Sequence, residues 1–147
     1  MAQFARPDAD TTLGNFSDDV GGVTNIFQAI DESAASDADY IRSPVSPVSE
    51  AYVCRLSDIT DPVSSSGHTM RMRTSTDLDA QEVLDFTQQL RMTYVSEGSQ
   101  GTLIASQART GVSSTTWTTS TYNLSGAEAD AITDYTALFF RFVVNTP

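Results

Sequence analysis

The stretch Leu84-Asp85-Phe86-Thr87-Gln88-Gln89-Leu90-Arg91-Met92-Thr93-Tyr94 alternates with a period of two. Leu84, Phe86, Leu90, Met92 and Tyr94 fall on one side and Asp85, Thr87, Gln89, Arg91 and Thr93 on the other, with Gln88 the sole polar residue on the apolar side. Successive side chains of a strand point to opposite faces, so the pattern predicts a long, half-buried β-strand. Immediately downstream, Glu97-Gly98-Ser99-Gln100-Gly101 has the length and glycine content of a hairpin connection, and Thr102–Ala108 follows as the antiparallel partner.

The same alternation recurs on both sides. Upstream, Tyr52, Cys54 and Leu56 share one face of Ala51–Ser57, and Met70 and Met72 alternate with Arg71 and Arg73 after the turn Ser64-Ser65-Ser66-Gly67. Downstream, Thr115–Leu124 reads as a Thr-rich strand carrying Trp117 and Tyr122, and Leu138–Val144 as a closing strand with Leu138, Phe140, Phe142 and Val144 inside and Arg141 outside. Shorter strands are expected at Thr24–Ile30 and from Tyr40-Ile41, the latter stopped by Ser43-Pro44 and Ser46-Pro47, because proline cannot donate to a ladder. One helix is expected. Ser125-Gly126-Ala127-Glu128 has capping-box spacing ahead of the helix formers Ala129 and Ala131.

About eight short strands with one crossing helix define an all-β chain, an antiparallel β-sandwich or jelly roll with a short helix near the C-terminus. Residues 25–147 form the expected single domain. Residues 1–24 are Asp-, Ser-, Thr- and Gly-rich and read as an extended N-terminal arm with sparse apolar anchors Phe4, Leu13 and Phe16, so removal of residues 1–20 is expected to leave the sandwich folded.

Nineteen acids against eight bases give a net charge of -11, and residues 1–50 hold nine of those acids. Such a surface does not suit phosphate backbones or anionic lipid head groups, which argues against nucleic acid and membrane as partners. Every base is arginine. No apolar run reaches the roughly 20 residues of a membrane span, and the first ten residues lack the layout of a signal peptide. Cys54 is the only cysteine, so no internal disulfide forms, and with His68 as its only soft companion no zinc site is expected.

Catalytic constellations are sparse. His68 is the only imidazole, and its neighbours Ser64, Ser65 and Ser66 read as a turn whose hydroxyls serve local backbone. Asp8/Asp10, Asp37/Asp39 and Asp77/Asp79 have a spacing that could converge on calcium, but none has the glycine and distal Glu of an EF-hand loop. The expectation is therefore no catalytic residue, no metal and no cofactor. Arg6, Arg71, Arg73 and Arg91, with Phe4, Leu13 and Phe16, are the candidates for contact with a neighbouring chain. Trp117 and Tyr122 are the candidates for stacking on a glycan.

The ending Leu124-Ser125-Gly126-Ala127-Glu128-Ala129-Asp130-Ala131-Ile132-Thr133-Asp134-Tyr135 with the strand Leu138–Val144 resembles small virion proteins encoded by tailed phages of marine and other environmental bacteria. So do Ala29-Ile30-Asp31-Glu32 with Asp37-Ala38-Asp39-Tyr40-Ile41, and the hairpin Tyr94–Ser106. The resemblance implies a jelly-roll-like capsid decoration (cement) protein on the outer capsid surface, bound to the major capsid protein and often trimeric. A tail-fibre or receptor-binding module, or a carbohydrate-binding sandwich, are the alternatives that share the fold.

Overall fold

The computed structural model describes residues 3–76 and 83–147. Its elements are β1 (Pro7–Thr12), β2 (Ser17–Asp18), a 3-10 turn (Ile26–Ala29), β3 (Ile41–Arg42), β4 (Glu50–Leu56), β5 (Thr69–Thr74), β6 (Leu84–Met92), β7 (Thr102–Val112), β8 (Thr118–Asn123), α1 (Gly126–Asp130) and β9 (Leu138–Asn145). Five strands form one antiparallel sheet in the order β1-β4-β9-β6-β7, while β2-β3 and β5-β8 are separate two-stranded ribbons. The chain is thus all-β, antiparallel and sandwich-like, with one very short helix.

Register explains the alternation. In β9, Phe142 faces Tyr52 of β4 on one side and Gln88 of β6 on the other, and Phe140 likewise faces Cys54 and Leu90. The inner face of the sheet is therefore continuous and apolar, and Met70 of β5, Leu124 and Ile132 join it in a single core. Among the described residues Gln88 is the one polar residue fully buried on this face; its amide donates to Gln107 of β7, directly opposite, and its Oε1 has no partner among them. The α1 cap forms as expected: the Ser125 hydroxyl accepts from the Glu128 amide and the Glu128 carboxylate accepts from the Ser125 amide.

Three expectations are corrected. Thr24–Ile30 is not a strand, because the Asp10 carboxylate accepts from the amides of Ile26 (2.8 Å) and Phe27 (2.9 Å) and Asn25 is left-handed, which winds the segment into a 3-10 turn. Tyr94 does not share a face with Leu90 and Met92. Thr93 has φ +60°, and the chain turns so that the Tyr94 ring lies on Phe139, on the outer face, at 5.8 Å. The strand expected from Thr115 begins only at Thr118, since Ser114 and Thr118 hydroxyls bond the Thr116 carbonyl and hold the lead-in as a turn.

The N-terminal segment is extended, but it does not stand apart from the domain. β1 is the edge strand of the large sheet, Phe16 is only 2% exposed within the core, and Asp10 also accepts from the Tyr52 hydroxyl at 2.8 Å. Residues 1–20 therefore carry an edge strand and a core ring, and removing them is expected to unfold the domain.

Replacing Asp10 leaves two backbone amides and a buried phenol without an acceptor. Asp10→Ala is expected to destabilise the fold by about 2–3 kcal/mol, and Asp10→Asn by less, as read from urea unfolding midpoints.

Candidate functional site

Between the inner face of the five-stranded sheet and the two ribbons lies an open cleft of about 1730 Å³. Aromatic rings underlie it, with Phe142 half-buried and its neighbours buried in the core: the Phe86 and Phe142 rings stack at 5.4 Å and 13°, and Phe16 leans on both Tyr52 and Phe142 at 5.8 Å. Met70 and Met72 line it from β5. The rim is polar. Arg73 pairs with Asp37 at 2.5 Å, and the Trp117 ring meets Tyr40 at 5.6 Å, tilted by 54°.

Six of the nine residues singled out from sequence border this one cleft: Phe4, Arg6, Phe16, Arg71, Arg73 and Trp117. Their roles differ from expectation in part. Phe4 is 62% exposed and available to a neighbour, whereas Phe16 is a core residue of its own chain. Arg6 is held locally, donating to the Glu32 carbonyl and lying over the Phe4 ring. Arg71 is exposed and has no hydrogen-bond or ion-pair partner among the described residues. Leu13 packs against the core away from the cleft. Tyr122 does not join Trp117 in a platform, because its hydroxyl donates to Glu128 of the helix cap at 2.8 Å.

Arg91 is the clearest departure. Although outward-facing as expected, it is only 9% exposed, because the segment after β6 folds over the outer face of the sheet. Its Nε donates to Gln89 and its guanidinium reaches the Gln100 carbonyl. Beside it, Arg141 grips Glu97 through two bonds of 2.9 and 2.6 Å, and Tyr94 bridges Glu97 and Thr12. Sequence reasoning missed this network, since Glu97 looked like an ordinary loop acid. The only signal was Arg141 between large apolar neighbours on a central strand.

The reactive side chains are engaged in structure. His68 Nε2 bonds the Tyr135 hydroxyl at 2.7 Å, and Ser64 and Ser66 bond each other and their own turn. Burial, with the Asp10 carboxylate adding, pushes the Cys54 thiol up to about 12. Burial also raises Tyr52 far above the ordinary tyrosine value, reinforced by Cys54 and by its bond to Asp10. Asp8 pairs with Arg55 and Asp37 with Arg73, while Asp77 and Asp79 lie outside the described residues. Among the described residues no group of three or more His, Cys, Asp or Glu side chains is placed to hold a metal.

Comparison with protein-family models, curated proteins and solved structures gives no match.

The bonds from Arg141, chiefly, hold the Glu97 carboxyl below its ordinary 4.5. Its contribution to stability is therefore fully present above that value and lost as pH falls through the lower folded value. Glu97→Gln is expected to melt below the wild type at pH 7, with the gap narrowing as pH falls below 4.5, in thermal unfolding followed across that range. Cys54 is expected to resist a thiol reagent at pH 8 in the native protein and to react once urea unfolds it.

Proposed function

We propose that this protein is a non-catalytic structural component of a tailed-phage virion, a capsid decoration protein that binds the major capsid protein on the outer shell surface and stabilises the particle as a homo-oligomer. The observation that carries this reading is the open cleft, whose volume of about 1730 Å³ is larger than a small ligand occupies and whose rim gathers the exposed Phe4 and Arg71 and the half-buried Trp117. A site of that size and mixed character suits a macromolecular neighbour. The uptake of the one imidazole and the one thiol into packing also favours a binding role over chemistry. The resemblance of the segments Leu124–Tyr135 and Tyr94–Ser106 to phage virion proteins supplies the particle.

One observation favours a second reading, a receptor-binding module of the tail. Trp117 and Tyr40 make an aromatic corner at the cleft mouth, next to the polar Asp39 and Thr119, that could hold the face of a sugar ring.

Quantitative mass spectrometry of virions purified from the source, scaled to the major capsid protein, separates the two. The decoration role predicts hundreds of copies per particle. A handful moves the protein to the tail, and its absence from particles overturns both readings.

A further inference from the structure

Opposite the large sheet lie two separate two-stranded ribbons, β2-β3 and β5-β8. In any strand only alternate side chains face the opposing sheet, yet all six residues of β5 border the cleft, the outward-pointing Arg71 and Arg73 included, against Thr119 alone from β8. The cleft therefore runs along the edge of β5 that faces away from β8. Both residues of β3 border it as well, against Ser17 alone from β2. Among the described residues β5 is laddered only to β8 and β3 only to β2, so two unpaired backbone edges flank an apolar floor. Unpaired edges are templates for a further strand.

The cleft's charge departs from that of the whole molecule. Four of the eight arginines, Arg6, Arg42, Arg71 and Arg73, line it against three carboxylates, Glu32, Asp37 and Asp39, in a chain of net charge -11. Arg6 donates to the Glu32 carbonyl, Arg42 to Ser17 and Arg73 to Asp37, which leaves Arg71 as the free cation among the described residues. An incoming strand laid along β5 meets two demands at once: apolar residues toward the half-buried Phe140 and Phe142, and an acidic residue beside Arg71. Two of this chain's own strands are poor complements, because arginine alternates with their apolar residues in Met70-Arg71-Met72-Arg73 and Leu90-Arg91-Met92, while the acidic Asp8-Ala9-Asp10 and Asp85 are already laddered in the large sheet.

We propose that β5 is a strand-acceptor edge, and that the cleft is filled by an extended segment of a different protein in which apolar residues alternate with acidic ones. Backbone ladder bonds to β5 supply affinity, the half-buried Phe140 and Phe142 receive the apolar side chains, and Arg71 selects the acidic partner. The inference does not depend on which particle or partner presents the segment.

The test uses the full-length protein and a short blocked peptide alternating valine with glutamate. Trp117 is the only tryptophan and borders the cleft, so its emission reports binding. A saturable shift is expected, weakened about tenfold by the exposed-site change Arg71→Glu with the unfolding midpoint unchanged. The same peptide with a central proline, which lacks a ladder donor, is expected not to bind. Absence of a saturable shift, or equal binding of the proline peptide, overturns the proposal. A response to palmitate without one to the peptide assigns the cleft to a lipid, and a dimer that excludes the peptide assigns it to a second copy; either result also overturns it. Virion copy number is an independent readout, so failure here is distinguishable from failure of the decoration role.

Discussion

The Asp10 carboxylate accepts hydrogen bonds from the amides of Ile26 and Phe27 and from the Tyr52 hydroxyl, joining an edge strand, a 3-10 turn and an inner strand of the sheet. Those donors would otherwise be unmet: a turn that begins without a side-chain cap of its own, and a phenol buried almost completely. Because a carboxylate has acceptor capacity for all three, one side chain fixes how the N-terminal segment lies on the sheet. Phe16 follows from that placement, entering the core against Tyr52 and Phe142, and with it the position of β2 and β3 at the side of the cleft. The cleft's geometry is thus set at a distance from it, by a polar contact inside an otherwise apolar region.

Strands whose pattern is governed by one buried face were legible in the sequence. β4, β5, β6 and β9 lie within a residue or two of their expected limits because each sets apolar side chains toward the core at alternate positions, and α1 was legible because its cap is local. What could not be read depends on contacts between remote residues. Ile26 and Phe27 have strand-forming side chains, but their amides belong to Asp10, sixteen and seventeen positions upstream. Tyr94 continues the alternation on paper, and a single left-handed residue, Thr93, sends it to the other face. The candidate site was legible as a set of residue types, with most of the singled-out aromatics and arginines bordering one cleft. Their division into free and engaged was not, because pairing such as Arg73 with Asp37 spans thirty-six positions.

The two faces of the large sheet handle charge in opposite ways. On the outer face, Arg141 pairs with Glu97 and donates to Gln89, while Arg91 donates to Gln89 and to the Gln100 carbonyl, so the two cations are tied to one carboxylate and to neutral amides. On the cleft side, Arg71 remains in solvent above an apolar floor. Burial lowers the tendency of Arg91 to hold its proton, and Arg141 beside it adds to that. The solvent-facing Arg71 is the one able to greet another molecule.

The pairing of buried Gln88 with half-buried Gln107 is costly if judged by stability alone, since the Gln88 amide oxygen has no partner among the described residues. Its value lies in alignment. Sliding β6 by two residues along β7 would keep every apolar side chain on the correct face, so hydrophobicity by itself does not forbid it. That slip would set Gln88 against Ala105 or Arg109 in place of Gln107, separating the two amides. The pair therefore works as a notch that lets the sheet close in one alignment only, in the way a lone buried asparagine sets the register of paired helices.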